Sequence, residues 1–169
     1  MSLTNNYFDV FNLPVSFDVN KELLSQRYRD LQRAVHPDKY ATSSERERRL
    51  AMQKATQINE AFQTLKNPIA RGQYLLQLHG TQLNDQDPHL DDQFLIEQIE
   101  LREELSELKS SGELNKFLSR IERRMHTLTV TLSQHFAQQN FQAAREYLRQ
   151  FQFFKRLYDE ALTLEEELT

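Results

Sequence analysis

The chain has 169 residues and a formal net charge of -4, with 38% hydrophobic and 27% charged residues, proportions that suit a globular protein able to bury a core. It has no cysteine, which excludes disulfides, thiolate metal sites, cysteine-held iron–sulfur clusters and a cysteine nucleophile. Three glycines and four prolines against abundant Leu, Gln, Glu and Arg favour helix over sheet, so an all-α fold is expected.

No apolar run reaches the roughly eighteen residues of a membrane span, and Met1-Ser2-Leu3-Thr4-Asn5-Asn6 has neither the basic start nor the apolar stretch of a signal peptide. A cytoplasmic location is the expectation. Charge is unevenly spread: Met1 to His79 carries eleven Lys/Arg against eight Asp/Glu, or +3, and Gly80 to Thr169 carries ten against seventeen, or -7. The two halves are therefore expected to meet different partners.

Tyr7 to Leu13 allows barely two helical turns before Pro14, too few to stand alone, so this segment must pack on the longer helices after it. Asp18 or Asn20 can cap the next helix, where Leu24, Tyr28, Leu31 and Val35 recur at helical spacing. Beyond the break at Pro37, Ala51, Ala55, Ile58, Phe62 and Leu65 repeat the pattern, which predicts an antiparallel helical hairpin whose tip is Val35-His36-Pro37-Asp38-Lys39-Tyr40. On the first arm Gln26, Arg29 and Arg33 fall opposite the apolar seam with Arg27 on the flank, giving a basic face that leads towards His36.

Proline holds the residue before it extended, so His36 leaves the helix and Asp38 is presented as an anion. Asp38, Thr42, Ser43 or Ser44 could instead merely cap the next helix. Side chains two apart across a proline are expected to diverge. With no serine nucleophile indicated and no phosphate-cradling glycine loop, the tip does not suggest an enzyme. His79, His89, His126 and His135 lack metal-ligand spacing, so neither a metal nor a cofactor is expected.

Asn67-Pro68 ends the second arm, Ile69 to His79 predicts a fourth short helix, and Gly80 to Pro88 has linker composition. The expected division is a first domain at 1–79, a linker at 80–90 and a three-helix bundle at 91–169. The second bundle helix carries Leu114, Leu118, Ile121, Met125, Leu128 and Leu132 in register, with Lys116, Arg120 and Arg123 on a solvated face. Asn140 is the expected cap of the third, whose seam is Ala144, Tyr147, Leu148, Phe151, Tyr158 and Leu162.

The first bundle helix, Asp91 to Lys109, has one core face in Phe94, Leu101, Leu105 and Leu108. Leu95, Ile96 and Ile99 turn about 100°, 200° and 140° away from Phe94, beside Glu100, Glu103 and Glu107. Phe153 likewise points about 200° from Phe151 and is expected to be exposed. An acid-edged aliphatic binding patch, a helix buried on both sides, and scattered surface hydrophobes are all compatible with that spacing.

The frame around the tip resembles a J domain: a helix, His36-Pro37-Asp38, and a second helix through Ile58-Asn59-Glu60-Ala61-Phe62-Gln63-Thr64-Leu65 to Asn67-Pro68, Arg71 and Tyr74. Tyr7-Phe8-Asp9-Val10-Phe11-Asn12-Leu13-Pro14 resembles the short first helix of that family, with Asn12 where glycine is common. Tyr74-Leu75-Leu76-Gln77-Leu78-His79-Gly80 and the run from Phe94 to Leu105 are similar to the J-type co-chaperones of iron–sulfur cluster assembly. That resemblance implies an L-shaped, all-α, non-enzymatic adaptor. It implies a J domain that engages a DnaK-class chaperone, HscA, through His36, Pro37, Asp38, Lys39, Arg27 and Arg33, and stimulates its ATPase. It further implies a bundle that binds the cluster scaffold IscU through Leu95, Ile96, Ile99, Glu100, Glu103, Glu107 and Phe153. Nucleic acid and membrane are not expected partners. A general folding co-chaperone and a purely structural helical adaptor are the alternative readings.

Overall fold

The structure is a computed structural model that describes residues 6–81 and 91–168. Among them every regular element is helical: α1 (Tyr7–Val10), α2 (Lys21–Val35), α3 (Glu45–Lys66), α4 (Pro68–Leu78), α5 (Asp92–Glu107), α6 (Ser111–Ala137) and α7 (Phe141–Glu165), with a 3-10 turn at Pro37–Tyr40. The chain divides into two compact units, Met1–Leu75 and Leu76–Thr169, so the break falls inside α4 and not at the expected residue 79. The last turn of α4 joins the second unit, where His79 stacks on Phe141 with ring centroids 4.2 Å apart. Most of the expected linker, residues 82–90, lies outside the described residues. Gly80 takes φ 77°, the left-handed position that closes a helix, and Thr81 N–H donates back to Leu76 O at 2.8 Å.

In the first unit the four-residue α1 is secured from outside, as its length demands. Asn6 and Asp9 form a reciprocal capping box, Phe8 and Phe11 are buried, and Tyr74 both stacks on Tyr7 and accepts its N–H at 2.9 Å. The turn after α1 places Asn12 at φ 50°, a conformation that glycine adopts without cost and asparagine tolerates. Arg27 reaches back from α2 to donate to Phe11 O at 2.7 Å and Asn12 O at 2.6 Å, closing that turn.

Asn20 caps α2 and Ser44 caps α3. The two arms meet through Leu24, Ala51, Ile58 and Leu65 and through Tyr28 stacked on Phe62 at 3.8 Å, with Tyr28 Oη donating to Asn59. Asn67 then caps α4, and Arg71, buried, donates to Leu65 O at 2.7 Å while lying over the Phe17 ring. Burial lowers the Arg71 guanidinium from its ordinary value, with Asp18 acting in the opposite sense.

In the second unit α6 and α7 form a long antiparallel pair whose core is Leu114, Phe117, Leu118, Ile121, Leu128, Leu132 and Phe136 against Ala144, Leu148, Phe151, Phe154, Leu157 and Ala161. Asn140 occupies the N-cap of α7, but its side chain makes no capping bond, contrary to expectation. The turn is closed by backbone instead: Gln139 adopts φ 58° and Asn140 N–H donates to His135 O at 2.9 Å.

Phe153 corrects a further expectation. It is 8% exposed, with its ring edge-on to Phe94 at 5.6 Å and to Phe154 at 5.3 Å. Helix α7 is covered by α6 on one side and by α5 on another, so its two faces about 200° apart are both core. The angular placement holds, but the assumption of one buried face does not.

Candidate protein-interaction sites

The first site is built by the end of α2. Val35 is the last helical residue, and His36 takes φ -58°, ψ 134°, the extended conformation that a following proline enforces. Pro37–Tyr40 then forms the 3-10 turn, closed by Lys39 N–H donating to His36 O at 3.0 Å. His36 Nδ1 accepts the N–H of Asp38 at 3.2 Å and lies 3.6 Å from Asp38 Oδ2. The imidazole and carboxylate therefore converge rather than diverge as expected, because the residues after His36 curl into a turn instead of continuing extended. Asp38 does not cap α3, a role that falls to Ser44, and its side chain is 92% exposed.

Around this tip lies an open depression of about 560 Å³ lined by Arg29, Gln32, Arg33, His36, Asp38 and Lys39. Arg33 is paired with Asp30, one turn back. Arg29 and Lys39 have no carboxylate within 4 Å among the described residues, so the uncompensated cations of the site are these two. Arg27 stands apart, its guanidinium committed to the α1 turn. The sequence expectation thus named Arg27 where the lining contains Arg29 and Gln32. Positions 29, 32, 33 and 36 follow helical spacing, the signal that could have selected them.

The second site lies on α5. Asp91 caps the helix, and Phe94 and Leu101 are buried, Phe94 against Phe153 and Phe154 of α7. Leu95, Ile96 and Ile99 remain 37%, 55% and 61% exposed. The carboxylates of α5 divide into two sets. Glu97 pairs with Arg124 at 3.2 Å and Glu104 with Arg120, fastening α5 to α6, while Arg102 pairs with Glu160 of α7 at 2.6 Å. The Glu104 bond holds the Arg120 guanidinium above its ordinary value.

Glu100, Glu103 and Glu107 have no cation within 4 Å among the described residues. Positions 96, 99, 100, 103 and 107 form one stripe at helical spacing, with Leu95 on its flank. Phe153 lies behind this stripe, under the Arg102 guanidinium, and supports α5 instead of joining its outer face.

Two remaining histidines pack on aromatic rings, His79 on Phe141 and His135 on Tyr147, and His126 is exposed. His89 lies outside the described residues. Among the described residues no group of three or more His, Asp or Glu side chains could hold a metal ion, and no helix is long and apolar enough to cross a membrane.

A helical hairpin with a capped His-Pro-Asp tip, followed by a separate helical unit, is the architecture of a J-domain co-chaperone. A family model described as the DnaJ domain matches residues 6–74, and one described as the HSCB C-terminal oligomerisation domain matches residues 90–162. The chain belongs to the HscB family. It is 43% identical to the co-chaperone protein HscB homolog of Shewanella halifaxensis and 41% identical to that of Colwellia psychrerythraea, each alignment covering 96% of this chain and 98% of the relative. Chaperone HscB from Vibrio cholerae superimposes with a TM-score of 0.87 at 38% identity, covering 98% of this chain and 100% of that one. Human co-chaperone HscB gives 0.90 at 33% identity, covering 96% and 83%. The Shewanella, Colwellia and human relatives are named as co-chaperones, a class without catalytic activity of its own.

Proposed function

We propose that this chain is a cytoplasmic adaptor that binds the iron–sulfur cluster scaffold IscU, brings it to the DnaK-class chaperone HscA and stimulates the chaperone's ATPase, thereby assisting cluster transfer. The observation that carries the reading is the division of charge on α5. Its inward carboxylates are neutralised by Arg120 and Arg124, and Glu100, Glu103 and Glu107, beside Leu95, Ile96 and Ile99, have no cation partner among the described residues. A protein partner with an apolar centre and basic flanks matches that stripe.

The tip supports the other half of the reading. An exposed carboxylate at Asp38, flanked by Arg29 and Lys39, cations without a carboxylate partner among the described residues, suits a chaperone surface that offers one cation and an acidic surround, with His36, Pro37 and Arg33 completing the contact. Arg27 supports this site by holding the α1 turn.

The test is ATP hydrolysis by HscA with the chain, with IscU and with both, alongside calorimetric titration of the chain with IscU. Stimulation by the chain that rises further with the scaffold, and saturable scaffold binding, are expected. Stimulation without any scaffold binding, together with suppression of aggregation of unfolded polypeptides, would replace this reading by a general folding co-chaperone.

A further inference from the structure

The 3-10 turn at the hairpin tip begins with a supply problem. The first N–H groups of any helical turn have no partner inside it; Pro37 brings none, so Asp38 N–H is the first that needs an acceptor. At ordinary helix starts an Asn, Asp or Ser side chain provides one. Here the residue in that position is His36, and its Nδ1 accepts Asp38 N–H at 3.2 Å. Nδ1 stands the same number of bonds from Cα as the Oδ1 of asparagine, which is why an imidazole can serve as a cap. Lys39 N–H takes the His36 carbonyl at 3.0 Å, so both groups that the turn offers backwards end on one residue.

We infer that His36 acts on the chaperone as a positioning residue: its Nδ1 caps the turn and so fixes the backbone from which the exposed Asp38 carboxylate is presented. The inference deepens the proposed role of the tip and rests on that reading for its functional arm only. The cap requires a bare Nδ1, which places the ring proton on Nε2. Any direct contribution of the ring to the partner then comes through Nε2, and the backbone contribution through Nδ1. Two substitutions separate these. His36→Asn keeps an acceptor at the position of Nδ1 and removes Nε2, and His36→Gln places a polar group near the position of Nε2 and removes the short acceptor.

The experiment compares the full chain with His36→Asn, His36→Gln and His36→Ala. In each, amide exchange of Asp38 is followed by NMR, the ring nitrogen shifts are recorded for the unsubstituted protein, and HscA ATPase stimulation is measured. The inference expects Nε2 protonated and Nδ1 bare. It expects Asp38 exchange in His36→Asn to stay close to the unsubstituted rate, with Gln and Ala faster by about twofold to thirtyfold, the range that loss of a capping acceptor spans. ATPase stimulation should follow the same order, with Asn retaining at least about half of it. Equal Asp38 exchange in all four proteins overturns the inference whatever the chaperone does. Equal loss of stimulation in Asn and Ala, with exchange preserved in Asn, also overturns it by making Nε2 the acting atom. Absence of stimulation by the unsubstituted chain refutes the proposed function instead, and the exchange order still decides the cap.

Discussion

Replacing Leu95, Ile96 and Ile99 together by alanine tests the α5 surface most directly. The three side chains are 37%, 55% and 61% exposed, so a partner can remove from water about one and a half side chains' worth of apolar surface, not three. At roughly 1.5 to 3 kcal/mol for each fully buried side chain, and with alanine retaining its methyl group, the loss is about 2 to 4 kcal/mol. That corresponds to roughly a thirtyfold to seven-hundredfold weaker complex. The remainder of a micromolar affinity would have to come from the carboxylate edge and the surrounding contacts. Calorimetric titration with IscU reads the change, and a thermal melt reads whether the helix survives. Because the three residues point away from Phe94 and Leu101, the melting temperature should move by no more than about 3 °C, and stimulation of HscA in the absence of scaffold should persist. An affinity within about threefold of the unsubstituted protein would refute the assignment of the surface. A bundle that no longer folds would show that these side chains are core.

Phe153→Ala should destabilise the second unit by about 3 to 5 kcal/mol in denaturant unfolding, because it empties the space between Phe94 and Phe154; a change under about 1 kcal/mol would mean the ring is a surface group after all. Arg29→Ala should weaken the HscA complex in a salt-dependent way and leave the melt unchanged, while Arg27→Ala should cost about 1 to 3 kcal/mol of stability through its two carbonyl bonds; the reverse pattern would exchange their roles. Asp38→Asn should abolish ATPase stimulation with helicity and melting intact, as read by circular dichroism, and full stimulation by this variant would remove the tip from the mechanism.

Much of the fold was legible because helical periodicity reports which face is apolar, and long amphipathic segments such as α3 and α6 obey it. The tip was legible for a different reason: Pro37 dictates the conformation of His36 without reference to anything distant. What could not be read depends on tertiary cover. The spacing of Phe153 gives its angle but not its cover, since nothing in its own helix says that a second helix lies over that face. Helical spacing puts Arg27 on the flank of the basic face, but its commitment to Phe11 O and Asn12 O follows only from the α1 turn folding back beside it. Convergence of His36 and Asp38 depends on the 3-10 turn, whose first position Pro37 suits, but spacing alone does not distinguish such a turn from an extended run. The charge division on α5 is likewise invisible in one dimension: Glu97, Glu100, Glu103, Glu104 and Glu107 are chemically alike until the positions of Arg120 and Arg124 separate them.

That division gives the acidic balance of the second half a physical meaning. An exposed Arg–Glu pair contributes only about 0 to 1 kcal/mol, so the pairs of Glu97, Glu104 and Arg102 cannot by themselves hold α5 in place; burial of Phe94 and Leu101 must supply most of that. What the pairs do change is the field. By cancelling two of the five glutamates they confine negative potential to one edge, where it lies next to exposed aliphatic side chains instead of encircling the helix. At the tip of the first unit the arrangement has the opposite sign: Asp30 compensates Arg33, and among the described residues Arg29 and Lys39 keep no carboxylate partner beside Asp38. Each surface therefore repels the kind of partner that the other attracts, and like-charge juxtaposition is an effective way to suppress a wrong complex. On the proposed reading, in which one chain holds two proteins at once without exchanging them, that discrimination matters more than high affinity at either site.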